Sequence, residues 1–294
     1  MYKLKDWINI DYLNWDCLSG NLDAIYLFER NKNRINRRIM MGLTLNPKAT
    51  YLIKENIDIV NWTLLSSNSS AIYFLEKNKD KINWEYLSRN HSAIHLLEEN
   101  PDKINWWNLS GNPSAIHILE KNIDKIHWKH LSLNPNAIDL LKKNIDKIDW
   151  WYLSANINAI DLLEKNLDKI DWRVLSANSG VIDLLEKNID KIDWYSLSSN
   201  SNAIHILEKY PNEIIWNELC RNTSAMNLLK NNQDKIHWFI LSTNPSIFEI
   251  DYSFFEKKTD IFREELIKNR MHPSRIIKYL NEGFDIEEVT ELFL

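Results

Sequence analysis

Apolar positions recur along this chain with a period of 22 residues. Tryptophan stands at Trp62, Trp84, Trp106, Trp128, Trp150, Trp172, Trp194, Trp216 and Trp238 without a slip. A leucine follows three places after each, from Leu65 to Leu241, and an asparagine six places after, from Asn68 to Asn244. A fixed period of this size is the mark of a solenoid. Within one unit, IDWWYLSANINAIDLLEKN (148–166), the spacing is helical. Trp150 and Leu153 share a helix face, and Asp149 before them is a good N-cap. After Asn156, the expected cap of a second helix, Ala159, Ile160, Leu162 and Leu163 form an apolar stripe. Pro113, Pro135 and Pro245 fall at the first helical position, where proline is tolerated. Asn166 ends the helix where a left-handed residue is often used. Each unit is therefore predicted to be a short helix, a turn, a helix of about nine residues and a second turn. Such helices are too short to persist alone and must bury their stripes against the next repeat. About ten repeats would make a rod or arc on the order of 90 Å long.

The ends depart from the pattern. A first repeat begins at Trp15; the second has Met40 in the tryptophan slot and extra residues near Arg37 to Leu43. The last decays, with Ile247, Phe248 and Asp251 in place of Ala, Ile and Leu. Terminal repeats of an open stack usually diverge because one face lacks a neighbour. The expected architecture is all-α: an α-solenoid over 15–250 between an N-terminal cap, 1–14, and a helical C-terminal cap, 251–294. In that cap, helices are expected from Thr259 towards Asn269 and from Pro273 to Leu280. A last one would lay Phe284, Ile286, Val289, Leu292 and Phe293 over the open end of the stack.

The phrase AIDLLEKNLDKIDW resembles the second half of an ankyrin repeat, and HPSRIIKYLNEGFDIEE is similar in the same way. The T-P-L-H signature is missing, and the period is too short for the ankyrin finger. A closer resemblance is to the tandem W-x-x-L-S-x-N-x-x-A-I-x-L-L-E-K-N repeat proteins of large DNA viruses, covering most of 15–250. It implies an intracellular protein, in the host cytoplasm if viral, and brings no catalytic residues. A leucine-rich repeat shares the period and an L-x-x-N echo, but WWYLSAN has few β-branched residues and the second half is strongly helical.

Composition narrows function mainly by exclusion. A net charge of −5 is mild and sets up no strong field for nucleic acid or an anionic membrane. Only Cys17 and Cys220 are present, which argues against a disulfide framework and for a reducing compartment. No signal-peptide core opens the chain, and no run is apolar enough to span a membrane. Phosphate loops, nucleophile elbows and paired Cys–His motifs are missing, and the carboxylates simply recur with the repeat. The expectation is a protein that is not an enzyme and takes no cofactor and no metal. His91 and His95 have metal-compatible spacing, but His95 falls in a polar column with Tyr73, His117, Asp139, Asp161 and Asp183 and is expected to be solvated.

The tryptophan column is expected to be core and the asparagine column to cap backbone groups. The columns that vary are the two positions after each tryptophan. One row reads Trp107, Lys129, Trp151, Arg173 and Tyr195, with Tyr86, His130 and Tyr152 alongside. So many aromatics mean either a second packing layer or a binding surface. As a surface, this ladder suits a protein or peptide partner through hot-spot and cation–π contacts. A structural role in a virion or assembly is the second possibility. Weak nucleic-acid binding through the rings with Lys129 and Arg173 is the third, and the overall acidity argues against it.

Overall fold

In the computed structural model of the protein, residues 2–253, Thr259 and 273–281 are described. The chain divides into two units, one of Leu4–Phe248 and one of Met1–Lys3 with 249–294. In the larger unit the regular repeats open with an α-helix at their tryptophan, such as Trp150–Ser154. A tight turn follows, then a second helix, Ile160–Glu164, and a 3-10 turn, Leu167–Lys169. The second helices are shorter than the nine residues expected, because the stretch from Asn156 to Ala159 is itself a turn. Asn166 is not left-handed either, at φ −139° and ψ 49°. It serves the helix end with its side chain, whose Nδ2 donates to the Leu162 carbonyl at 2.8 Å. Asn78, Asn100, Asn122, Asn144 and Asn188 do the same for their own helices.

Joints between repeats are held by two buried polar side chains. Asn156 donates through Nδ2 to the carbonyls of Ser132 (2.9 Å) and Asn134 (3.0 Å) in the preceding repeat. Its Oδ1 accepts the N–H of Asn158 at 3.0 Å. Both amide protons and the amide oxygen are thus in use, and neither Asp nor Ser has that inventory. Ser154 donates to the Trp150 carbonyl (2.8 Å) and accepts the N–H of Asp171 in the following repeat (3.1 Å). Around these groups pack Leu153, Leu163 and Ala159, all essentially inaccessible. The slot before each tryptophan is less constrained: Asn83, Asp149, Asp171 and His237 cap from it as acceptors, whereas His127 and Ile215 make no cap.

The ladder does not end. Its eleven buried asparagines run from Asn21 to Asn244. Asn21 donates to the carbonyls of Ser242 and Asn244, both at 3.0 Å, as Asn156 does to Ser132 and Asn134. The Asn14 N–H donates to Ser242 Oγ at 2.9 Å, repeating the Asp171–Ser154 bond. The Leu4–Phe248 unit is therefore a closed ring of eleven repeats, not an open rod or arc. The eleventh is assembled from both ends. Its first helix, Trp238–Leu241, comes from the C-terminal side; its 3-10 turn, Ile10–Tyr12, comes from the N-terminal side. Tyr12 lies 5.1 Å from the Trp238 ring, in the place where Lys169 covers Trp150. Leu13 is buried in the slot of Ile170, and Lys5 N–H donates to the Ile247 carbonyl at 3.0 Å. Residues 4–14 are thus the missing part of a repeat rather than a cap, and the ring offers no open end for a C-terminal cap to cover.

The tryptophan column is also not core as expected. Each tryptophan is only partly buried. Its outer face is covered by the lysine that leads into the next repeat, with Nζ 4.7 Å from the ring for Lys125–Trp106, Lys147–Trp128 and Lys169–Trp150. Where Glu213 replaces that lysine, Tyr210 packs on Trp194 at 5.2 Å instead.

The irregular second repeat keeps its phase by lengthening its first helix to Arg37–Leu45. Asn36 caps it, accepting the N–H groups of Arg38 and Ile39, so the additional residues become one more turn. Gly42 is required there, since a Cβ would stand 1.9 Å from Ser19 Oγ of the neighbouring helix.

Backbones of successive first helices approach one another more closely than those of successive second helices. Of the two concentric layers, the eleven first helices therefore form the narrower circle and the ten second helices the wider. Eleven helices at a packing distance of roughly 8–10 Å make a circle about 30 Å across at the helix axes. The face of each first helix turned away from the second-helix layer lines its inner side.

Strands Tyr2–Leu4 and Phe248–Ile250 form a two-stranded sheet. In the smaller unit, Lys3 pairs with Glu249 at 3.2 Å. A helix spans Pro273–Asn281, matching the expectation there. The helix expected from Thr259 towards Asn269 and the one over 284–294 lie outside the described residues.

Two stability measurements test this architecture. Asn156→Ala or Asn156→Asp should lower the unfolding free energy by about 2–4 kcal/mol, because two buried carbonyls lose their donors. Asp149→Asn, where the side chain only accepts, should stay within about 0.5 kcal/mol. Equal costs in urea titrations would remove the asparagine ladder as the joint. Deleting residues 1–14 should leave a ring with an open seam that associates with concentration in light scattering. An unchanged monomer of unchanged stability would contradict closure.

Candidate functional site

Three columns of the first helix remain uncovered: the residues one, two and five places after the tryptophan slot. At 0°, 300° and 40° around the helix, Trp150, Leu153 and Ser154 face the second helices; the uncovered positions lie near the opposite side. Of the two readings left by the sequence, the second packing layer is excluded by accessibility. Trp107 is 48%, Trp151 53% and Tyr195 53% exposed. Lys129 and Arg173 are exposed, and Tyr86, His130 and Tyr152 are half-buried.

Two of the contacts between repeats run diagonally, from one place after the tryptophan in one repeat to two places after it in the next, and His130 to Tyr152 runs straight between equivalent positions. Trp107 packs on His130 with ring centroids 3.8 Å apart, and His130 lies 5.8 Å from Tyr152. Trp151 and Tyr152 meet edge to face at 4.8 Å. Tyr195 Oη donates to Glu218 Oε1 of the next repeat at 2.8 Å. That hydrogen bond, with the carboxylate charge, raises the Tyr195 pKa above the ordinary phenol value. Between Trp151 and Arg173 an open cavity of about 390 Å³ is walled by Ala155, Val174, Ala177 and Ser196. The fifth position is alanine in both repeats, where the preceding repeat carries Leu133.

His127 belongs to this cluster and was not singled out from the sequence. It occupies the capping slot before Trp128 but makes no cap; its Nδ1 is buried without a partner. Its ring instead lies 5.1 Å from His130 and 6.1 Å from Trp107. The signal was a histidine where most repeats place Asn or Asp. Burial lowers the His130 pKa below 6.5, and His127 and then Arg89 push it further the same way.

The histidines of the polar column sit on the second helices, each facing a glutamate of the preceding repeat. His95 is 3.1 Å from Glu76, His117 2.9 Å from Glu98, and His205 3.0 Å from Glu186. His91 and His95 do not converge: His91 Nδ1 is 3.3 Å from Ser92 Oγ. Among the described residues, no group of three or more metal-ligating side chains is placed to hold an ion, and no helix is long and apolar enough to cross a membrane.

No protein-family model, curated protein or solved structure matches this chain.

Because the His130 pKa is depressed on folding, protonation favours the unfolded chain. Its contribution is fully present above pH 6.5 and is lost as pH falls through the lowered folded value. Urea midpoints of the native protein should therefore fall more between about pH 7 and pH 5 than those of His130→Asn. Parallel pH profiles would detach His130 from this linkage.

Proposed function

We propose that the ring is a non-catalytic protein-interaction scaffold that takes a peptide or protein partner along its inner row of first helices. The observation that carries this reading is the exposure of Trp107, Trp151 and Tyr195 at one repeated position of the first helices, which Phe239 shares; Tyr51 and Tyr73 are exposed too, but on the second helices. Large aromatic side chains at the centre of a rigid surface are the residues that dominate protein interfaces. The supporting lattice is set by buried asparagine and serine bonds, so the row is held in place before a partner arrives, and little ordering entropy is lost on binding. The resemblance to tandem-repeat proteins of large DNA viruses would put that partner inside an infected cell.

The triple change W107S/W151S/Y195S tests it. Stability should change by no more than about 1 kcal/mol, since none of the three is core. In a quantitative affinity comparison from the native cell, a partner held by the unaltered chain should be lost from this variant. The same partner should be kept by D139N/D161N/D183N, on the second helices. A partner kept by the first variant and lost by the second would move the site to the other layer.

A further inference from the structure

The inner row carries a charge pattern that the whole chain does not. Over the repeats of Asn90 to Asn200, exposed cations and exposed rings alternate one per repeat: Arg89, Trp107, Lys129, Trp151, Arg173, Tyr195. None of the three cations is within ion-pair distance of a carboxylate among the described residues, whereas elsewhere on this face the charges are paired. Asp16 meets Arg38 at 2.9 Å and Glu218 meets Arg221 at 3.3 Å. Glu85, at the start of the stretch, is its single acidic side chain. This arc is thus locally basic in a protein of net charge −5, and Asp139, Asp161 and Asp183 are exposed on the other layer.

Resting on the interaction reading above, we propose that the arc from Arg89 to Tyr195 binds one extended, acidic peptide segment. Its carboxylates face Arg89, Lys129 and Arg173, and its apolar side chains lie against Trp107, Trp151 and Tyr195. The spacing suits a polypeptide. Repeats stand roughly 8–10 Å apart at the helix axes. The lining side chains lie about 5 Å inside that circle, so neighbouring positions there are about 6 Å apart. An extended chain, advancing about 3.3 Å per residue, covers each repeat with about two residues. Acidic and apolar residues would then alternate about every two positions over about 10 residues. The cavity between Trp151 and Arg173 gives the register: a side chain seated against Ala155, Ala177 and Val174 brings a neighbouring carboxylate to the Arg173 guanidinium, which holds two oxygens at once. A single nucleic-acid strand could also use rings and cations, but three unpaired cations neutralise too few phosphates for binding that survives physiological salt.

The test is selection of displayed random peptides of about 10 residues on the full chain, then anisotropy titrations of the enriched peptides. The inference expects enriched sequences to alternate Asp or Glu with aromatic or aliphatic residues. Their affinity should fall at least tenfold in R89Q/K129Q/R173Q, weaken with added salt, and survive the charge-preserving Lys129→Arg. Neutral or basic winners, or acidic winners indifferent to the triple neutralisation, overturn the inference; if they are still lost in W107S/W151S/Y195S, the interaction reading stands. An empty selection, or winners that bind that variant equally well, overturns both. Tighter binding of a 10-nucleotide single strand, about equal in length to the peptides, would replace the peptide with nucleic acid.

Discussion

Everything in the ring hangs on a primary amide placed where two carbonyls of the previous repeat converge. Asn156 is buried between helices of only five residues, which leave many backbone groups without helical partners. One amide satisfies two of those acceptors and one donor at once, across a joint. Aspartate lacks the donors, and glutamine would need more room and another rotamer to be arrested. The need is positional, which explains why this column is asparagine in every repeat while the slot seven residues before it holds Asn, Asp, His or, at Ile215, no polar group at all. A structure built of such joints depends on each neighbour for its polar groups as much as for its apolar contacts.

The repeat unit was legible because every element of it is local. Periodicity marked both helices and residue type marked the N-caps such as Asp149, but helix geometry left Trp107, Trp151 and Tyr195 open between a surface and a second packing layer. What escaped was of two kinds. The tryptophans were expected to be buried because they never vary, yet Trp150 is held between the core on one side and the Lys169 ammonium on the other. A position can be invariant because its ring serves two environments. Curvature escaped for a different reason: it is the sum of small rotations, and no single residue encodes it. The clue lay in phase. Residues 9–14, NIDYLN, line up with Asn166–Asp171, NLDKID, so the ring unit opens on the end of a repeat, and the repeat begun at Trp238 lacks that end. Diverged terminal repeats suggested capping; they are in fact two halves of one unit.

Closure also alters how the surface can be used. An open stack has two apolar ends that must be masked, and its termini fray first. In the ring, Asn21 and Asn244 are as well bonded as Asn134 and Asn156. The exposed rings therefore sit on a support whose stability does not decline towards either end. The cost falls on the seam, where contacts between residues more than two hundred positions apart must form after the local ones.

Closure makes the number of repeats a quantised property. A linear array can gain or lose a unit at one end and leave every other joint as it was. Here eleven joints share one full turn, about 33° each, and a twelfth unit would require about 30° of every one of them. A duplication within this gene would thus strain all the amide joints together or spring the ring open. Any lineage that changed its repeat count would have to retune side chains around the whole circumference, resizing the circle on which Trp107, Trp151 and Tyr195 stand.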